Sequence, residues 1–427
     1  MDMDEGVVGI SGYLTSAPGL GGRIKASAED FVVDEVSVDL PRSESGRYTA
    51  ARIRTKNWET NRLVRELARH LHISRKRIAF AGTKDRRAVT TQLFQFDGPP
   101  EPLDGLRLKD VEILETFRTE KPLEIGDLLG NCFHVIVREI PFPREEIEAG
   151  AEAVARDLRI AGGFPNFFGI QRFGSVRPIT HVVGRHLARG EIKEAVMAYV
   201  AHPIEGEDPE SFAVRKDLEA TGDYAAALRG FPKEWGFEKA ILNRLATHPD
   251  DFAGALQQLP LNLLILFVHG YQSYLFNRIL SDRMREGLPL HEPVEGDVVL
   301  AARPDGRPDR GREVPVDGGN LEKVAAQCRA GKAFVSGVLF GSESEFAAGR
   351  PGEIEKRVVG SEGLRREDFV IPAIPRLSSK GTRRELLASV RDLAWEAGDG
   401  TLTLSFALTP GCYGTSLLRE FLKVPVA

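Results

Sequence analysis

Apolar positions along this chain recur with two different periods, and the switch between them marks out strands and helices. Period two governs residues 48–55, where Thr49, Ala51 and Ile53 face one way and Tyr48, Ala50, Arg52 and Arg54 the other. Such alternation predicts a half-buried strand with arginines on its open face. Phe31-Val32-Val33-Asp34-Glu35-Val36 predicts a strand before it. Helical period follows: Leu63, Val64, Leu67, Ala68 and Leu71 form one apolar stripe, opposite Arg62, Arg65, Arg69 and His70, with Thr60 placed to act as N-cap. Ser74 is placed to cap a further helical turn carrying Arg75, Lys76 and Arg77. Ile78 to Ala81 predicts a short buried strand and Thr90 to Phe96 the next, which leaves a loop around residues 82–89.

Further along, residues 97–130 carry Pro and Gly punctuation with short strands between. Cys132 to Ile140 predicts a strand, Arg144 to Leu158 a helix. From about 193 to 385 the pattern is mainly helical and in places acidic, with a solvated loop at 303–312 rich in Arg, Pro, Asp and Gly. The most apolar run, Leu261 to Leu280, is broken by Asn262, His269, Gly270, Gln272, Ser273 and Asn277. A bilayer span needs about 20 predominantly apolar residues, so this run predicts a buried core helix. Leu402, Leu404, Phe406 and Leu408 alternate with Thr401, Thr403, Ser405 and Ala407 in a last strand, and residues 415–422 form a closing helix. No fixed-period repeat and no long low-complexity segment interrupts this order.

With 427 residues the chain is long enough for two or three domains. A hydrophobic content of 42% and a charged content of 28% place it among soluble globular proteins. Its net charge of −5 announces no polyanionic partner, but the charge is uneven. Between Arg52 and Arg87 stand twelve Lys or Arg against Glu59, Glu66 and Asp85, a local net of +9. A patch of that size attracts phosphates even on an acidic molecule. Three scattered cysteines, Cys132, Cys328 and Cys412, form no CxxC pair and fit a reducing, cytoplasmic setting. The acidic start lacks the basic and apolar regions of a signal peptide.

Ala81-Gly82-Thr83-Lys84-Asp85-Arg86-Arg87 is the densest chemistry in the chain. One carboxylate sits among three cations after a glycine that permits a sharp turn, and neighbouring positive charge keeps such an acid ionised. A second constellation is the aromatic loop Asn166-Phe167-Phe168-Gly169-Ile170-Gln171-Arg172-Phe173-Gly174. It suits either a hydrophobic plug or a platform on which a base stacks, with Asn166 hydrogen-bonding a uracil edge; stacking is worth about 1–3 kcal/mol per base. Other signals lead nowhere. Gly19-Leu20-Gly21-Gly22 lacks the rest of a nucleotide-binding loop, and His181, His186 and His269 lack metal-site spacing. No GxSxG elbow occurs.

Taken together, five segments resemble the TruD family of pseudouridine synthases. They are residues 25–33 (KASAEDFVV), 80–85 (FAGTKD), 165–174 (PNFFGIQRFG), 271–277 (YQSYLFN) and 411–416 (GCYGTS), in the family's order. The resemblance implies an α+β fold: a catalytic domain with a mixed, largely antiparallel sheet flanked by helices, interrupted by a second α/β insertion domain. It places the catalytic domain at 1–192 and 386–427 and the insertion at 193–385. It implies isomerisation of uridine to pseudouridine, typically at position 13 of tRNA. By segment match Asp85 falls on the catalytic aspartate. Phe31, Asn166 and Tyr413 fall on substrate-contacting positions, Phe168 on the aromatic packing under the target base, and Lys25 on a basic residue near the acid. The family often has Tyr where this chain has Phe167, and some members have Phe in place of Tyr413.

The chemistry agrees with the composition. Isomerising uridine exchanges an N-glycosidic for a C-glycosidic bond with no loss of atoms and no redox step, so it requires no cofactor and no metal. It needs an ionised carboxylate that either attacks the sugar or abstracts a proton. Extruding the nucleoside costs a few kcal/mol, which phosphate contacts from Arg62, Arg65, Arg69, Arg75, Lys76, Arg77, Lys84, Arg86 and Arg87 offset. The expected partner is tRNA, with no membrane and no obligatory protein partner, and the expected state is a monomer. A non-catalytic RNA-binding or chaperone protein on the same scaffold is the competing reading. A nucleoside hydrolase is a weaker one, because glycoside hydrolysis usually uses two carboxylates.

Overall fold

The computed structural model describes residues 4–84, 86–99, 103 and 105–426. Asp85 lies outside the described residues. The chain forms two compact units, one of Thr15–Phe164 with Ala388–Val424, the other of Met1–Leu14 with Pro165–Leu387 and Pro425–Ala427. The fold is α+β, with a mixed sheet in one unit and helices around a smaller sheet in the other.

Followed from its start, the first unit lays down β1 (Phe31–Ser37), β2 (Tyr48–Lys56), helix α1 (Thr60–His70), β3 (Ile78–Phe80), β4 (Val89–Asp97), β5 (Val111–Thr119), β6 (Leu128–Val137) and helix α2 (Arg144–Ala161). The chain leaves it at the two-residue strand β7 (Phe164–Pro165). It builds β8 (Val298–Ala302), β9 (Pro308–Pro315), β10 (Ala333–Leu339) and β11 (Thr382–Glu385) in the second unit. It returns at β12 (Leu387–Ala388) to add β13 (Val390–Gly398) and β14 (Thr401–Leu408), and closes with the helix Gly414–Leu422.

The first unit's eight-stranded sheet runs β13-β14-β6-β1-β4-β2-β5, with β3 also on β4. Every pairing is antiparallel except β1 with β4. The apolar stripe of α1 (Leu63, Val64, Leu67 and Ala68) packs against Ala51, Ile53, Phe94 and Phe96 of β2 and β4. The sequence pattern therefore gives both the helix and the face it buries. Its cap differs from the expectation. Glu59, not Thr60, caps α1, its carboxylate accepting from the N–H groups of Asn61 and Arg62 at 2.9 Å each. Thr60 is buried and turned to another use described below.

In the second unit the run beginning at Leu261 is one 25-residue helix, Leu261–Arg285, buried along most of its length. It packs beside the helix Thr180–Ala188 and against the four-stranded sheet β11-β10-β8-β9. The two helices approach so closely that a Cβ on Gly184 would fall 2.0 Å from the carbonyl oxygen of Phe267. Residues 303–312, expected as a solvated loop, instead turn tightly, Arg303 N–H donating to Arg307 O at 2.7 Å, and enter β9, which pairs with β8. Pairing in a hairpin satisfies the backbone of a segment whose composition alone suggests coil. Residues 165–192, which the resemblance assigns to the catalytic domain, cluster with the second unit, where the helix Thr180–Ala188 packs on the long helix. The first residues join the same unit, with Asn277 Nδ2 donating to Val8 O at 3.0 Å and Ser281 Oγ to Gly9 O at 2.9 Å. Likewise, residues 97–130 hold the nine-residue β5 rather than only short strands.

The entry to β1 is fixed by Asp30. Its Oδ1 accepts from Arg138 Nε at 2.9 Å and NH2 at 2.6 Å, and its Oδ2 from Ser27 N–H at 2.9 Å. The Arg138 guanidinium holds this buried carboxyl below the usual carboxylate range. A depressed folded-state value means that the contact stabilises fully above about pH 4 and loses its effect as pH falls through the depressed value. Asp30→Asn is expected to lower the unfolding free energy at pH 7 by about 1–2 kcal/mol. Urea titrations should show the gap from wild type narrowing below about pH 4.

Candidate active site

In the first unit, β1 and β4 run side by side in the register Val32 with Val89 and Val33 with Thr90. The loop that carries residues 81–88 therefore ends level with Phe31, and Arg87 NH2 donates to Ala26 O at 3.4 Å. Lys25, Phe31 and Arg87 thus share one end of the sheet. Lys25 holds a left-handed backbone, φ 53°, a conformation that costs a non-glycine residue about 1–2 kcal/mol. Its Nζ lies 4.6 Å from the centre of the Phe31 ring, in cation–π range. Phe31 meets Phe133 edge-on at 6.2 Å, and Phe133 stacks on Phe406 at 4.9 Å. Tyr413 is the half-buried N-cap residue of the closing helix. Its neighbour Gly414 lies so near Phe133 that a Cβ there would come within 3.1 Å of the ring. Lys25, Phe31 and Tyr413 are thereby gathered around one aromatic stack.

In the second unit the aromatic loop is framed by residues the sequence did not single out for that task. Asn166 is 0% exposed. Its Nδ2 donates to Glu385 O at 3.1 Å and Glu385 Oε1 at 3.0 Å, and its Oδ1 accepts from Arg384 NH2 at 2.5 Å. An Asn amide has two hydrogens to donate, and both are engaged here, so a uracil edge finds neither available in this conformation. Arg384 also places its guanidinium 4.1 Å from the Phe168 ring centre, while Phe276 meets that ring edge-on at 5.6 Å. Asn277 clamps Phe168 by its backbone: Oδ1 accepts from Phe168 N–H at 2.9 Å and Nδ2 donates to Phe168 O at 3.0 Å. The segment 271–277 is therefore the scaffold under the loop. The polar breaks in the apolar run were the available signal: Gln272, Ser273 and Asn277 are all buried and hydrogen-bonded.

Of the cations expected on phosphates, Arg62, Arg65, Arg69, Arg75, Lys76, Arg77, Arg86 and Arg87 are exposed. Arg62 lies over the Trp58 ring, Arg69 pairs with Glu66 at 3.1 Å, and Arg77 donates to the carbonyl of Asp97. Lys84 departs from the expectation. Its ammonium is buried and paired with Glu35 at 2.7 Å, so it faces the sheet and not a phosphate. Burial of the pair leaves each charge dependent on the other for solvation.

Loss of the Asn277 clamp has a local signature. Asn277→Ala should destabilise the protein by about 2–4 kcal/mol, because buried backbone groups of Phe168 lose their partners. Hydrogen exchange should show faster exchange at the Phe168 amide, whereas unchanged protection there would contradict the assigned role.

A family model described as tRNA pseudouridine synthase D (TruD) matches residues 7–421. A probable tRNA pseudouridine synthase D of Methanococcoides burtonii is 41% identical over 424 residues, covering 98% of this chain and 96% of its own. A counterpart from Halobacterium salinarum is 40% identical over 435 residues, covering 98% and 97%. A crystal structure described as that of the putative tRNA pseudouridine synthase D (TruD) from Methanosarcina mazei matches with a TM-score of 0.84 at 40% identity, covering 99% of both chains. With family model, relatives and solved structure agreeing over nearly its whole length, the chain belongs to the tRNA pseudouridine synthase D (TruD) family.

Proposed function

We propose that the chain isomerises uridine to pseudouridine in tRNA, at position 13, with Asp85 as the reacting carboxylate and no cofactor. The observation that carries this reading is the β1–β4 register in a member of this family. It brings the end of the 81–88 loop level with Phe31, where Arg87 reaches Ala26 and Lys25 lies over the Phe31 ring.

The reaction breaks the N1–C1′ bond and forms a C5–C1′ bond; the C5 proton leaves and N1 takes one up. An ionised carboxylate serves either as nucleophile at C1′ or as base at C2′. Flanking Arg86 and Arg87 are exposed and supply the positive field that favours ionisation. The exposed arginines of α1 and of the turn Arg75–Arg77 supply a cationic surface of the kind that holds phosphates. Phe31, buried edge-on against Phe133, presents no open face for stacking in this conformation.

Release of tritium from C5-labelled uridine in tRNA reads the reaction directly. Asp85→Asn should lower the single-turnover rate by at least about a thousandfold while tRNA affinity, set by phosphate contacts, stays within about threefold. A variant that retains turnover would remove Asp85 from the chemistry, whereas a wild-type chain that releases no tritium would return the chain to a binding role.

A further inference from the structure

Lys84 and Glu35 sit where strand β4 changes neighbour. β2 pairs along the whole of β4, from Val89 to Asp97. The opposite edge of β4 is shared: β1 pairs with Val89–Thr91, β3 with Phe94–Phe96. At the gap between them the N–H of Leu93 donates to Glu35 Oε1 at 3.3 Å, in place of a ladder partner. Ser37 Oγ donates to the same oxygen at 3.1 Å, and Lys84 Nζ donates to Oε2 at 2.7 Å. Both side chains are nearly solvent-free, 5% exposed for Lys84 and 0% for Glu35.

The backbone of the same loop is tied to two other elements. Lys84 N–H donates to Thr60 Oγ1 at 2.9 Å, and Thr60 Oγ1 donates to Gln92 Oε1 at 3.2 Å. Gln92 Nε2 donates to Gly82 O at 3.0 Å. One step earlier, Ala81 O accepts from Gly126 N–H at 2.8 Å. Thr60 opens α1 and Gln92 lies in β4, so the residue bonded to Asp85 is held by its amide, through Thr60, and by its side chain, through Glu35.

We propose that Glu35 and Lys84, with Thr60, are positioning residues: they fix the peptide that precedes Asp85 and so set where its carboxylate is delivered. The role deepens the proposed function and rests on Asp85 as the reacting acid. It assigns Lys84 to the rate of the chemical step and removes it from the phosphate contacts. A misplacement of about 1 Å at a reacting group costs about a hundredfold in rate, which is the scale on which such a clamp acts.

Glu35→Gln with Lys84→Met removes both charges together, so neither is left unpaired in the interior, and the glutamine still offers Leu93 an acceptor. The double variant should melt near wild type and bind tRNA with unchanged affinity and unchanged salt dependence. Its single-turnover rate at saturating tRNA should fall between about tenfold and a hundredfold. Full rate with weakened affinity and a shallower salt slope would overturn the proposal and make Lys84 a phosphate contact. Full rate with unchanged affinity would overturn it and leave the pair purely structural. If the double variant does not fold, Thr60→Val, which deletes only the hydroxyl that receives Lys84 N–H, carries the test. A rate loss of about tenfold with retained affinity supports the clamp; wild-type rate overturns it. Asp85→Asn measured alongside separates the two levels. If that variant keeps full rate the reading of Asp85 fails, whereas an inactive Asp85→Asn beside a full-rate double variant sinks the clamp alone.

Discussion

The change of partner along one edge of β4 is the constraint on which the first unit's site depends. Because β1 occupies the first half of that edge and β3 the second, the chain between β3 and β4 must travel as a loop past the end of β1. The parallel register then brings the end of that loop level with Phe31 and Ala26. A buried carboxylate fills the gap in the ladder where neither strand reaches, and it draws the loop's lysine inward. Burying two charges is expensive unless they pair and their remaining polar groups are met. Glu35 meets that condition with three donors.

The second unit applies the same physics around its aromatic loop with side-chain amides. Asn277 satisfies the N–H and carbonyl of Phe168, and Asn166 is enclosed by Arg384 and Glu385. A buried polar network of this kind is costly when half-satisfied and rigid when complete. The result is an aromatic loop whose backbone is set by side chains a hundred or more residues away in sequence.

Much of this was legible in the residues. The stripe Leu63–Leu71, the alternation at 48–55 and at 401–408, and the polar breaks within 261–280 each reported a local period that the fold keeps. Long-range partners were not legible. Nothing local announces that Lys84 turns inward, since three adjacent cations look alike until Glu35 is known to lie beneath one of them. Thr60 has the chemistry of an N-cap, but Glu59 reached the free amides first and left Thr60 to the loop. At 303–312 the exposed turn was legible, but the strand after it was not, because β8 was available to pair with it. The packing of the helix Thr180–Ala188 on the long helix leaves no mark on composition either.

The central claim is that this fold modifies one uridine in tRNA. Pseudouridine mapping across the tRNAs of cells lacking the gene tests it most directly. The account predicts that a pseudouridine at position 13 disappears and returns when the wild-type chain is supplied. A complete, unchanged set of pseudouridines in those cells would contradict it.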